Sequence, residues 1–463
     1  MTNYEYIKPQ TNDYKIYYYL SNLWLSKDKL EIFIEDNINI DQIKVDHNNL
    51  LNDYIKLLPL LEQNIELTQF ITVFKENIKI FRLFGFQKNY SLNLNEHSVN
   101  LKSEGCDDDN INIVINNITD KDIIDVYNYI KLTNIQKKSN IKNFSNSKVI
   151  PQYKSGNINE PNNFRYVINH HNVIKIIDRL WSINVLYKCG NNLLDDKIFK
   201  SGLINPDFKD IETIANLKTT NLDNKVIIDI KKAYDSLEYN VIYKLLLSNL
   251  TRKINKKDAT ILIEEYFIIL KNRNLFYKDK LIKFSKGIPI GLPSSSIVFN
   301  FVFEEIILRW LYNNKEFKHH FLLTIYVDDI LFEFLINDKI NYIIINFINY
   351  IKLYGFDVNI NKLKVSPNIY DKTIGSILQY NDFYLGIPFT RDIKLYGILI
   401  LQTFQKKYNH QLTWNDLYNI IINNNKNKNC ILGFLNYKLK QLLNDNIKIN
   451  EKIITTIIKK YYI

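Results

Sequence analysis

The sequence predicts an α+β fold, and three observations carry that prediction. Short runs rich in β-branched and aromatic residues alternate with longer segments of helical apolar spacing, in the order strand–helix–helix–hairpin–helix–strand between residues 226 and 387. The chain has 463 residues and is 46% hydrophobic, enough for two or three packed units rather than a disordered chain. There is no internal repeat, and no apolar run reaches the roughly 18 uncharged residues of a membrane span.

Taken in order, residues 1–134 are expected to form an N-terminal helical extension. Segments 52–70 and 120–132 carry helix-period apolar spacing, the second after the acidic run Asp107–Asp109. Residues 135–163 are polar, basic and rich in Ser and Asn, and read as a linker. Residues 164–395 are expected to hold the compact α+β unit. There Val226–Ile230 reads as a strand, Ser236–Leu250 as a helix and Phe299–Tyr312 as a long helix. Ile325–Phe334 reads as a hairpin and Asp338–Tyr354 as a helix with Asp338 placed to cap it, and strands follow through Phe383–Ile387. Residues 396–463 return to a helical pattern.

The net charge is +11, from 60 basic and 49 acidic residues. That suits a polyanionic partner, and equally a solvated basic surface, because Ile, Asn, Lys and Tyr are all abundant and share A/T-rich codons. Three distant cysteines (Cys106, Cys189, Cys430) and no CxxC support neither a disulfide framework nor a zinc site, and imply a reducing compartment. No HExxH or HxxxH pairs the histidines, and neither a P-loop nor GxGxxG occurs, which argues against helicases and dinucleotide enzymes. The first residues lack a charged segment leading into an apolar one, so a soluble intracellular protein without a membrane partner is expected.

The chemistry concentrates in three places. In Thr324–Phe334 two adjacent carboxylates, Asp328 and Asp329, sit between two apolar runs. A hairpin that lifts both clear of a sheet avoids the cost of burying them uncompensated, and an ionised pair there calls for cations, most simply a divalent metal. Asp229 ends the strand Val226–Ile230, at a terminus where its carboxylate could hold a metal or equally serve only the fold. Tyr234 and Asp235 follow as the chain turns into a helix. Asp235 reads first as a helix N-cap, and Tyr234 reads alternatively as a core tyrosine. In Lys286–Asn300, glycines and prolines alternate at Gly287, Pro289, Gly291 and Pro293 just before a helix, in a chain with only 12 glycines. Such glycines allow close backbone approach to a ligand, and a helix start offers free N–H groups to phosphate. The alternative is an ordinary loop capped by Ser294–Ser296.

Together these segments resemble the reverse transcriptase family of right-hand polymerases. DIKKAYDS at 229–236, GIPIGLPSSSIVFN at 287–300 and YVDD at 326–329 are similar to its first three palm motifs. YGFDVNINKLKV at 354–365 resembles the fourth, and FYLGIPF at 383–389 the segment that grips the primer. Five segments in order, over about 220–390, are far more specific than any one alone. The resemblance implies fingers, palm and thumb, with the thumb at 396–463. Asp229, Asp328 and Asp329 would be the catalytic, metal-holding set for Mg²⁺ or Mn²⁺ in a two-metal transfer. Ile230, Tyr234, Pro289, Ile290, Gly291 and Lys362 would lie around the nucleotide, and Leu385 and Gly386 would grip the primer. A bulky Tyr234 under the sugar would reject a 2′-hydroxyl, making dNTPs the substrate, with an RNA (or DNA) template and a DNA or RNA primer as partners. Lys362 would serve the leaving pyrophosphate, or be a solvated lysine.

Two departures qualify the resemblance. Ile290 stands where the family carries Gln, and Ser295–Ser296 where Ser-Pro is usual. The basic residues that clamp the triphosphate are not singled out among Lys175, Arg179, Lys197 and Lys200. Two other readings therefore stand beside a DNA polymerase. One is a maturase-like or non-catalytic RNA-binding protein that keeps the palm as a scaffold, and the other is an RNA-templated RNA polymerase. No RNase H-like or integrase-like module is recognisable in the remaining sequence.

Overall fold

The computed structural model describes residues 13–25, 56–62, 64–77, 118–153, 157–189, 194–195, 199–202, 224–317, 319–336 and 339–366, and the short strand pairs 376–377, 383–384 and 387–388. Helix α1 (Asp13–Leu23) buries Ile16 and Leu20. Where the spacing predicts a helix over 52–70, Leu58–Leu61 forms a single 3₁₀ turn, because Pro59 suits only the first turn of a helix. Helix α2 (Leu67–Glu76) then buries Phe70 and Phe74. Helix α3 (Asp120–Ile130) opens with a reciprocal capping box between Thr119 and Asp122.

The expected linker at 135–163 is instead largely regular structure. Helix α4 (Asn134–Asn140) starts from a second capping box, Thr133 with Gln136, and strand β1 (Asn146–Tyr153) follows. The polar letters that suggested a tether are caps and alternating strand positions: Ser147 and Val149 are buried while Asn146 and Lys148 are exposed. Strand β1 pairs antiparallel with β2 (Phe164–Asn169). Next come α5 (Asn172–Cys189), the short strands β3 (Leu194–Asp195) and β4 (Phe199–Gly202), and β5 (Asn224–Lys231). The helix expected from Ser236 is broken into α6 (Ala233–Ser236) and α7 (Tyr239–Thr251), and α8 (Lys256–Lys271) packs beside α7. Strands β6 (Asn274–Tyr277) and β7 (Lys280–Ile282) lead to the long helix α9 (Ser294–Asn313). The hairpin is β8 (Phe321–Tyr326) with β9 (Asp329–Phe334), as the sequence predicts. Helix α10 (Ile340–Lys352) begins after a left-handed Lys339 with no side-chain cap, and Asp338 lies outside the described residues. Short strands β10 (Asp357–Val358), β11 (Lys364–Val365), β12 (Ser376–Ile377), β13 (Phe383–Tyr384) and β14 (Ile387–Pro388) complete the described chain. Residues 396–463 lie outside it.

Among the described residues two main sheets form. The small one has the order β2-β1-β6-β7, and the large one β12-β11-β5-β9-β8-β4-β3, with β10 pairing β5. Helix α1 packs on the small sheet: Ile16, Leu20 and Trp24 cluster with Val149, Tyr166, Ile168 and Leu275. Helices α2 and α3 join the main core through Phe70, Phe74, Ile123 and Val126. Helix α9 is apolar almost all round and correspondingly buried, with Phe299, Phe301, Phe303 and Trp310 at 1% exposure or less. Burying each such side chain contributes roughly 1.5–3 kcal/mol, so this helix anchors both neighbouring layers. No helix of the described residues is long and apolar enough to cross a membrane.

Candidate functional site

Strand β5 alternates. Val226, Ile228 and Ile230 are buried, which puts Ile227 and Asp229 on the opposite face. In the antiparallel register Asp229 lies directly opposite Asp329 of β9. Tyr326 pairs with Asp329 to close the β8–β9 hairpin, so Val327 and Asp328 form its two-residue turn. Val327 has φ +57°, the positive value required at the first central position of such a turn. For a β-branched residue this conformation costs about 1–3 kcal/mol, and Val327 is held in it while 7% exposed.

Burial holds the Asp328 carboxyl above the usual carboxylate range, and the charge of Asp229 pushes it further the same way. Its own backbone amide, then Arg165 and Lys362, act in the opposite direction. Lys362 Nζ sits 3.1 Å from Asp229 Oδ1. The Asn359 amide donates to the Asp229 carbonyl at 2.8 Å, so the 359–362 turn is fixed to the end of β5. The charge of Arg165, on the small sheet, is felt at Asp328. Arg165 projects from β2 between the buried Phe164 and Tyr166, on the exposed side of the strand.

The glycine-rich loop closes the next side. The Gly287 amide donates to the Leu237 carbonyl and the Ile288 amide to the Tyr234 carbonyl, each at 2.8 Å. Gly291 has φ +125°, and a Cβ there would lie 2.2 Å from the Ile168 carbonyl oxygen. The Ile168 amide donates to the Ile290 carbonyl at 2.7 Å. The glycines therefore bring this loop against the chain's own backbone, rather than only against a ligand. Pro289 is buried, and its carbonyl accepts from the Ser295 hydroxyl. Ile290 is half-buried. The Tyr234 ring stacks on Phe299 with centroids 4.8 Å apart. Asp178 of α5 anchors the start of α9, accepting from the Ser294 amide at 2.8 Å and its hydroxyl at 2.6 Å.

The structure thus brings Asp229, Asp328, Asp329, Lys362, Tyr234 and the 287–291 loop to one end of the large sheet. Ile230 departs from the sequence expectation: it is 3% exposed on the core face of β5, because strand alternation sends it away from Asp229. Asp235 is not a helix cap. Its carboxylate accepts from Trp24 Nε1 at 2.7 Å. Leu385 and Gly386 lie outside the described residues, as does Lys197, and nothing is described of the Lys200 side chain in β4. Arg179 is buried in α5 beside Asp178, on which its charge acts. Arg165, whose charge acts on Asp328, was not among the expected clamp residues. Its signal in the sequence is a lone arginine between two aromatic strand positions, within a stretch read as bordering a linker.

Among the described residues no group of three or more His, Cys, Asp or Glu side chains is placed to hold a metal ion. The expected three-carboxylate cage is therefore not gathered. The coupled pair Asp229 and Asp328 does suit a small hard cation. Such an ion takes oxygen donors, keeps several waters, and needs only one or two protein carboxylates when substrate phosphates supply the rest.

The comparisons with known proteins bear on this arrangement. No curated protein matches the chain. Among solved structures it is similar to an apo telomerase from Candida tropicalis truncated from its C-terminal domain. The identity is 19%, the match covers 48% of this chain and 50% of that one, and the TM-score is 0.33. Residues 178–389 match the family model for reverse transcriptase (RNA-dependent DNA polymerase). That span runs from Asp178 through β5, the loop at 287–291 and the 326–329 turn, so the stretch that matches the reverse transcriptase family model contains the candidate site.

Proposed function

We propose that this protein extends a primer 3′-hydroxyl with dNTPs on a nucleic-acid template, RNA in the first instance. In this reading the small sheet belongs to the fingers, the large sheet is the palm, and residues 396–463 form the thumb. The observation that carries it is the coupled pair Asp229 and Asp328 at one end of the large sheet, with Arg165 of the small sheet acting on the same carboxylate.

Asp229 and Asp328 would hold Mg²⁺ or Mn²⁺, with Asp329 supporting them from the paired strand. When bound, such ions activate the hydroxyl and neutralise charge on the transferred phosphoryl and leaving pyrophosphate. Arg165 offers a forked donor set to the triphosphate, the geometry that best matches phosphate oxygens. Lys362, now 3.1 Å from Asp229, pairs with that carboxylate and would serve the leaving pyrophosphate. Tyr234, held from below by Phe299, sits under the sugar and excludes a 2′-hydroxyl. Gly291 and Pro289 shape the loop. Ile290 meets the nucleotide–template pair through apolar contact where Gln would hydrogen-bond. Leu385 and Gly386 grip the primer.

The test offers purified protein a primer on an RNA template with dNTPs and NTPs in competition. Preferential dNTP incorporation is expected. Equal or preferred use of NTPs would overturn the assignment of DNA as product, and duplex binding without incorporation would favour the non-catalytic RNA-binding reading.

A further inference from the structure

Trp24 ties together parts of the chain that the family resemblance does not link. Its indole ring is 4% exposed and packs in the small-sheet cluster with Ile16 and Leu20. Its Nε1 donates to Asp235 Oδ1 at 2.7 Å. Its backbone carbonyl accepts from the amides of Ser285 and Lys286 at 2.8 and 3.2 Å. A Cβ on Gly287 would lie 3.2 Å from its ring. Asp235 follows Tyr234 directly, and the Tyr234 and Leu237 carbonyls receive the amides of Ile288 and Gly287. One side chain and one carbonyl from the end of α1 therefore hold both the turn at 234–238 and the segment at 285–286 that leads into the 287–291 loop.

Core packing alone would need only the ring. The indole N–H could meet any nearby carbonyl, yet it meets a carboxylate on the turn that presents Tyr234. A charged acceptor makes this the stronger kind of hydrogen bond. The rest of α1 is fastened to the β6–β7 hairpin: Asp13 pairs with Lys278, and the Tyr17 hydroxyl donates to the Leu281 carbonyl at 3.2 Å. The helix thus spans from that hairpin to the tyrosine turn.

We propose that Trp24 is a positioning residue that sets Tyr234 and the 287–291 loop against each other, and so tunes how tightly the nucleotide sugar is judged. This rests on the reading of Tyr234 as the sugar contact. Trp24 itself touches no reacting atom.

The test compares the full-length wild type, Trp24→Phe, which keeps a ring but loses the donor, and Asp235→Asn, which keeps an accepting oxygen. Two readouts are taken, amide hydrogen exchange and steady-state dNTP incorporation. In Trp24→Phe, exchange at Gly287 and Ile288 is expected to quicken by about fivefold to tenfold, the loss of one modest hydrogen bond. Amides inside α9, from Phe301 to Ile307, should be unchanged. The KM for dNTP should rise by about the same factor, with kcat held within about twofold and discrimination against NTPs reduced. Asp235→Asn, which keeps an acceptor without its charge, should fall between the wild type and Trp24→Phe in both readouts. An active wild type whose Trp24→Phe variant keeps its exchange pattern and KM overturns this inference alone, as does exchange that quickens equally throughout α9. A wild type that incorporates nothing overturns the proposed function, and this inference with it.

Discussion

Asp328 is pressed by burial and by the charge of Asp229 toward holding a proton, while Arg165 and Lys362 favour its ionised form. Carboxylates set this way gain most from an added cation, which is why the pair suits a magnesium-class ion. The carboxylates were readable in advance because both lie next to apolar strand runs, where a charged residue has few other reasons to be. Arg165 was not, because its strand sits in a segment whose Asn and Ser content hides the alternation of Phe164, Arg165 and Tyr166. Arg165 is exposed, so its removal should barely affect stability. Arg165→Ala is expected to raise the KM for dNTP by about tenfold or more, the range for a hydrogen bond to a charged group, with an unchanged melting temperature. Steady-state kinetics and a thermal melt on the same preparation check this, and an unchanged KM would remove Arg165 from the triphosphate side.

Between elements, the junction of α5 and α9 carries a titrating group. Burial raises Asp178 from its usual 3.8 to about 7, against the pull of Ser294, Arg179 and Arg273. The folded protein therefore keeps a proton that the unfolded chain releases between these two values. Stability tied to this group falls as pH rises from about 4 to 7 and stays at its lower level above that. Asp178→Asn keeps an acceptor for Ser294 and removes the titration. Melting curves across this range should show the variant losing less stability than the wild type as pH rises, and parallel curves would contradict the assignment. No sequence pattern pointed to this contact, since an aspartate within a helix reads as a surface residue. The clustering of glycines before α9 was legible, but one of its reasons was not: Gly291 is needed because the Ile168 backbone lies against it, and that strand comes from far earlier in the chain.

Across the whole molecule, the order of the five segments was legible because each carries its own local signal, whereas the fate of the N-terminal residues was not. Helical spacing shows that α1 has an apolar face but not that the face meets the small sheet. A buried ionic network likewise carries no local sequence signal. Glu305, fully buried, accepts from Arg252, Arg309 and Ser248 and joins α7 to α9. Glu305→Ala leaves two guanidinium groups without their acceptor and is expected to cost about 3–5 kcal/mol in a denaturant titration. A loss below about 1 kcal/mol would show the network to be dispensable. The proposed activity requires that Asp229 and Asp328 perform nucleotidyl transfer on this scaffold. Single-nucleotide primer extension with Mg²⁺, run on the wild type and on Asp328→Ala with duplex binding measured on the same samples, tests it most directly. Equal binding and a rate lower by about a hundredfold or more are expected in the variant. A variant that extends the primer like the wild type, or a wild type that binds duplex and extends nothing, would contradict the proposed activity.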